Sequence, residues 1–183
     1  MLFVFNAHIN ILFPIFQQTR NLRKIFKYIS TGKCIKREMS RTYRPSVFAI
    51  VYLKNKNLSY LILKRKLHWK GWEFPKGGID KKENLLQSVR REVFEETGQF
   101  PVLINKLKEK GKYKYPHLLP DRQGYLGQEF VLFAAEIKSK KIKIDKKEHS
   151  DYKWLSFKEA EKILTYPNQK KCLKIVNKHL NRI

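Results

Sequence analysis

The sequence predicts a mixed α/β sandwich, on three observations. A pair of strand signals opens the folded region at residue 46. A glycine-containing loop then leads into one well-marked helix, and several strands and two closing helices complete the chain. This order argues against a regularly alternating parallel sheet. A chain of 183 residues holds one domain of ordinary size plus an appendage. Its hydrophobic content of 42%, with 13% aromatic residues, is enough for a packed core.

The elements follow in order. Residues 47–53 and 58–63 are runs of β-branched, aromatic and aliphatic residues, and each reads as a strand. Lys54-Asn55-Lys56-Asn57 is a polar turn between them, so a hairpin is expected. Residues 71–82 carry Gly71, Pro75, Gly77 and Gly78 and read as irregular. Residues 83–97 read as a helix stopped by Gly98, with Asp80 and Glu83 spaced as a capping box. Weak strands are expected at 101–108 and 112–116, a strong one at 129–137 and a short one at 152–155. Helices close the chain at about 157–164 and 168–180.

Residues 1–40 differ from the rest. An apolar run to Phe16 is followed by seven basic residues between Arg20 and Arg37, and the first acid is Glu38. The stretch is a targeting segment, a surface anchor, or sequence upstream of a true start at Met39. We therefore divide the chain into a basic extension, 1–40, and a folded domain, 41–183. The default compartment is the cytoplasm, with mitochondrial import as the alternative if the extension is a targeting segment. No apolar run is long enough to span a membrane. Cys34 and Cys172 make no paired-cysteine motif, which fits a reducing compartment. The sequence is silent on oligomeric state.

Charge narrows the function classes. Lys and Arg number 40 against 16 Asp and Glu, for a net +24. The first 41 residues hold eight basic residues and one acidic one, so the remainder still carries +17. Such an excess predicts a polyanionic partner. Six of the 16 acids nonetheless fall between residues 73 and 96. On helix 83–97, Leu86, Val89 and Val93 share one arc, and Glu92, Glu95 and Glu96 share an arc of about 100° beside it. A solvated acidic face is the plain alternative. Clustered like charges are unfavourable unless neutralised, and hard oxygen ligands suit Mg²⁺. Lys76-Gly77-Gly78 adds a flexible backbone and a point charge for phosphate. It lacks the Gly-Lys-Ser/Thr of the common P-loop.

Gly77, five residues, Glu83, seven residues, then Arg91-Glu92-Val93-Phe94-Glu95-Glu96-Thr97-Gly98 resembles the Nudix box. The usual aliphatic residue at its end is Gln99 here, and Phe100 is expected to replace it in packing. The resemblance implies a Nudix fold, a mixed sheet between helices with the box as loop–helix–loop. It also implies hydrolysis of a nucleoside diphosphate linked to another group, with Mg²⁺ or alternatively Mn²⁺. By position, Glu92, Glu95 and Glu96 are metal ligands, while Glu83 and Arg91 brace the loop. The general base is then Glu92 or an acid outside the box.

The segment Trp72–Gly78, Tyr115-Pro116, and Gly127-Gln128 before a hydrophobic strand resemble two Nudix branches. These are asymmetric diadenosine tetraphosphate hydrolases and RNA 5′-pyrophosphohydrolases. Glu148 matches their later acidic segment and is a candidate catalytic acid or further ligand. Lys76, Gly77, Gly78, Tyr115 and Gln128 are the candidate substrate contacts. Asymmetric tetraphosphate cleavage is the first reading, RNA pyrophosphate removal the second, and a non-catalytic RNA-associated protein the third. The four histidines named by position, His68, His117, His149 and His179, do not stand at zinc-ligand spacing.

Overall fold

The computed structural model describes residues 42–182. The readings for residues 1–40 and for Cys34 lie outside the described residues. The folded region is built around a long first strand, β1 (Thr42–Lys54), whose residues Ser46–Leu53 are all buried. A strand buried on both faces must be covered by helices above and below. It pairs with β2 (Leu58–Arg65) across the expected polar turn. On the same edge, an earlier part of β1 pairs with the short β4 (Lys76–Gly78). Along its other edge it runs parallel to β6 (Tyr125–Glu136) for eleven residue pairs.

The seven-stranded sheet has the main order β3-β2-β1-β6-β5. Here β3 is Gly71–Glu73, β5 is Leu103–Lys114, and β7 (His149–Leu155) pairs with β2 along the edge opposite to β1 and β3, which pair with different stretches of it. The region read as irregular thus holds two short strands with Phe74-Pro75 between them. Ala49 donates its backbone N–H to Pro75 O at 2.9 Å, which stitches that break to β1. The weak strands at 101–108 and 112–116 are one strand, with a bulge between Lys106 and Lys110. Its lysines gave a poor strand signal, and pairing with the apolar β6 overrides that preference.

Helices cover both faces. On one side, α2 (Phe157–Ile163) and α3 (Pro167–Leu180) pack Ala160, Leu173 and Val176 against Phe48, Ile50, Leu132 and Ala134. On the other, α1 (Leu85–Thr97) packs Val89 and Val93 against Val47, Ala49, Leu61 and Phe133. This is the α/β/α arrangement that the sequence implied. Among the described residues, no helix is long and apolar enough to cross a membrane.

The start of α1 corrects the sequence reading. The capping box is formed by Asn84 and Gln87, each side chain bonding the other's backbone N–H, at 3.0 and 2.8 Å. Asp80 and Glu83 lie before the helix, which leaves the Glu83 carboxylate free for another partner. Gly98 ends the helix as expected, at φ 72°, with its N–H on Phe94 O. The apolar stripe begins at Leu85, which packs against the core, whereas Leu86 is half exposed.

Leu132 sits at the centre of β6 and is fully buried. Leu132→Ala should lower unfolding stability by about 2–5 kcal/mol, read as a lower urea midpoint with an unchanged slope.

Candidate active site

Two glycines decide where the site forms. At Gly77, a methyl group would lie 1.9 Å from the Glu92 carboxyl carbon. At Gly78 it would lie 2.2 Å from an Arg44 guanidinium nitrogen. Bare backbone therefore lets a carboxylate of α1 and a cation of β1 settle on the two sides of β4. Any side chain at either position would push them away.

Arg91 ties this loop to the helix. Its guanidinium donates to both oxygens of Glu83, at 2.8 and 2.9 Å, and to Gly78 O at 2.8 Å. Its remaining nitrogen donates to Glu92 at 2.7 Å and Glu95 at 3.1 Å. One planar fork thus serves three glutamates and one carbonyl. These pairings hold the Glu83 carboxyl at about pKa 2 and push the Arg91 pKa up, in both cases chiefly through the bonds between the two side chains. Glu83 and Arg91, expected to brace the loop, are thus paired with each other across it.

Glu92, Glu95 and Glu96 line one cavity of about 140 Å³. They differ in setting. Glu92 and Glu96 belong to the buried face of α1, while Glu95 is exposed. Burial pushes the Glu92 carboxyl up, with Arg91 opposing and Glu95 adding to the rise. Burial pushes Glu96 well up; Lys76 opposes this, and Glu92 adds to it. Glu96 Oε2 is buried with no hydrogen-bond partner. An orphaned carboxylate oxygen beside two further carboxylates is a fit for a hard divalent cation. Among the described residues, no three His, Cys, Asp or Glu side chains already stand together closely enough to hold an ion. Water and substrate oxygens would complete the shell, as Mg²⁺ prefers.

Beneath the cavity lies a second cluster, around Glu73. Its carboxylate is buried and receives Trp69 Nε1 at 3.1 Å and Arg65 Nη1 at 3.3 Å, with His149 Nε2 at 3.6 Å. Lys76 Nζ makes the closest contact. Burial alone would raise the Glu73 pKa, but Lys76, His149 and Arg65 outweigh it and hold it at about 2. Burial also pushes the Lys76 pKa down, against the pull of Glu73. Lys76 is therefore an internal counter-charge to Glu73 and Glu96, and not the freely projecting phosphate contact that the sequence suggested.

The accessible cations of the cavity are Arg44 and Arg122, which the sequence reading missed, as it did Asp145. Glu148 and Gln128, both candidates by sequence, line the same cavity. Arg65 Nη1 reaches Glu148 Oε2 at 2.5 Å. Gln128 accepts a hydrogen bond from the Tyr113 hydroxyl, which leaves its amide nitrogen available. Tyr115 stands elsewhere. It lines a neighbouring cavity of about 400 Å³ with Trp69, Tyr113 and Tyr166, and its hydroxyl accepts from Arg122 at 3.1 Å. Lys76 borders both cavities. Phe100 is 61% exposed and stacks on Phe94 at the surface, so it does not fill an interior place. Gln99 instead anchors the chain after α1 to Ser139 O and Lys141 O.

A family model for the NUDIX domain matches residues 42–174. The chain belongs to the Nudix family. Among curated relatives, RNA pyrophosphohydrolase of Nitratiruptor sp. is 33% identical over 148 residues, covering 75% of this chain and 96% of the relative. RNA pyrophosphohydrolase of Campylobacter jejuni is 30% identical over 146 residues, covering 76% and 94%. Among solved structures, a Listeria monocytogenes protein described as a NUDIX hydrolase superposes with TM-score 0.64 at 23% identity, covering 75% of this chain and 94% of that one. An Ap4A hydrolase of Caenorhabditis elegans gives 0.60 at 20%, covering 76% and 99%. These two likenesses bear on the fold. This Nudix chain is a hydrolase of the pyrophosphohydrolase kind, and its box forms the loop and helix that frame the carboxylate cavity.

The orphaned Glu96 gives a stability test in metal-free protein. Its raised folded pKa means that the unfolded state ionises first, so wild type loses stability as pH rises above about 4.5. Glu96→Gln removes that loss. In chelator, the variant should melt above wild type at pH 8, and the two should converge near pH 4. Wild type gaining on the variant with rising pH would refute the raised Glu96 pKa.

Proposed function

We propose that this chain removes pyrophosphate from the 5′-triphosphate end of RNA. The relatives carry this reading: RNA pyrophosphohydrolases match across 94–96% of their own length at 30–33% identity. The residual charge of +17 supports it, because RNA offers many phosphates beyond the one that is cleaved. This reverses the order in which the sequence was read, where tetraphosphate cleavage came first. The tetraphosphate reading keeps its motif support, and it is the second substrate to test.

Each residue then has a role. Glu92, Glu95 and Glu96 hold Mg²⁺, with Mn²⁺ as the alternative. Bound there, the ion supplies positive charge at the phosphate oxygens and acidifies water. Arg44 and Arg122 meet the phosphate oxygens from the opposite wall, and Gln128 donates from its amide. Gly77 and Gly78 let the chain of phosphates approach backbone. Glu148, oriented by Arg65, takes the proton of the attacking water. The water oxygen joins phosphorus, the bridging P–O bond between the α and β phosphates breaks, and pyrophosphate leaves. The first base enters the aromatic cavity beside Tyr115. In this reading the protein works in the cytoplasm, and residues 1–40 are an extension of the working domain.

The test is turnover of 5′-triphosphate RNA and diadenosine tetraphosphate, side by side with Mg²⁺. RNA should be the better substrate. Glu95→Gln and Glu96→Gln should each lower its turnover by about 10²-fold or more, without loss of fold. Cleavage of the dinucleotide with RNA untouched would sink the reading. Chains starting at Met1 and at Met39 should share the same kcat and melting temperature; a deficit in the shorter one would assign residues 1–38 to the domain.

A further inference from the structure

Strand β5 carries Lys106, Lys108, Lys110, Lys112 and Lys114 at alternate positions. All five are exposed, and from Leu107 on the residues between them are partly buried. The strand ends the main path of the sheet, so among the described residues one of its edges is unpaired. Register fixes the direction of the row. Lys106 stands opposite Phe133, Lys110 opposite Val131, Lys112 opposite Glu129 and Lys114 opposite Gly127. Residues paired across a sheet share a face, so these four project on the α1 side, with Lys108 in the bulge between them.

The strand's one carboxylate does not neutralise the row. Glu109 lies at an intervening position and pairs with Lys171 of α3 at 2.7 Å. Successive lysines along an extended strand stand about 7 Å apart. A few lysines suffice to keep a sheet edge from pairing with another chain. Five in unbroken alternation add mutual repulsion that edge protection does not require. They suit a linear polyanion.

The row also leads somewhere. Lys112 and Lys114 border the aromatic cavity at the sheet edge, while Tyr113 and Gln169 wall it on the α3 side, so the way from row to cavity rounds the edge of β5. That cavity shares Lys76 with the carboxylate cavity. Lys112 additionally sits 5.4 Å from the ring centre of Tyr43. We infer that β5 is the track for the body of the RNA: with the 5′ end in the carboxylate cavity, phosphates downstream of it lie along Lys114 to Lys106. The inference rests on the RNA reading above.

The test uses the triple variant Lys106→Gln, Lys108→Gln, Lys110→Gln, which spares the two lysines at the cavity. Its substrates are a 5′-triphosphate dinucleotide and an unstructured 5′-triphosphate RNA of about 20 nucleotides. KM for the long RNA should rise about tenfold or more, with kcat and all constants for the dinucleotide unchanged. A 5′-hydroxyl RNA of the same length, followed by fluorescence anisotropy, should lose about 2 from its log–log salt slope. The triple Lys→Arg variant should behave as wild type. Equal effects on long and short substrates, or an unchanged slope, would overturn the track. So would lysine-dependent binding to phosphatidylserine vesicles with RNA binding unaltered, which would assign the row to a membrane surface. Failure to turn over any 5′-triphosphate RNA would sink the proposed reaction, while the 5′-hydroxyl RNA would still decide the track.

Discussion

The site depends first on the Arg91 guanidinium. Two of its nitrogens grip Glu83, one of those also holds the Gly78 carbonyl, and the third lies between Glu92 and Glu95. Remove it, and the loop carrying the glycines loses its tie to α1, while Glu92 and Glu95 lose their nearest counter-charge. A lysine could not replace it, since one ammonium cannot present parallel donors to a carboxylate and still reach a carbonyl on the other side. The arginine does not reach Glu96, which is left to the buried Lys76 and to whatever enters the cavity. The helix can therefore place three glutamates in one arc and still leave one of them short of positive charge.

A second set of bonds builds the wall that faces this helix. Glu73 gathers Arg65, Trp69, Lys76 and His149 from β2, the turn after it, β4 and β7. Arg65 bridges outward from that centre to Glu148. The proposed base is thus referenced to the same buried carboxylate that sets the position of Lys76, and Lys76 in turn faces Glu96. Such a network is costly if any member is missing, because each remaining charge is left in a medium that solvates it poorly. It couples residues more than 80 positions apart in sequence, from Arg65 to Glu148, into one rigid floor.

Most of the site was legible because its core is local. The spacing from Gly77 to Gly98 carries loop, helix and stop within 22 positions, and helical periodicity alone puts the glutamates on one arc. What escaped was set by contacts across the sheet. Arg44 precedes a proline on β1, and only the pairing of β1 with β4 brings its guanidinium over Gly78. Arg122 reaches the cavity through its bond to Tyr115, and Asp145 through the chain leading into β7. The misplaced capping box has a local cause. Asp80 and Glu83 have the right spacing, but Arg91 competes for Glu83 with a charge-assisted pair, and Asn84 caps instead. Phe100 looked like a core residue by type, yet Gln99 fastens the chain there and leaves Phe100 outside.

The distribution of charge explains why one cavity is a poor place to look for substrate choice. Carboxylates, arginines and glycine backbone in the cavity suit a polyphosphate, and a dinucleotide and an RNA end would present the same polyphosphate there. Discrimination has to come from surfaces that only the larger molecule touches. The aromatic cavity, the proposed base subsite, does not separate them, since both substrates carry a base. Beyond it, along β5, only a polymer has phosphates left to offer. A basic surround spread evenly over the domain would attract any polyanion without orienting it. An ordered row ending at the cavity favours the molecule whose 5′ end and backbone can be held at once, because the second contact is then made within one complex and not by a separate encounter.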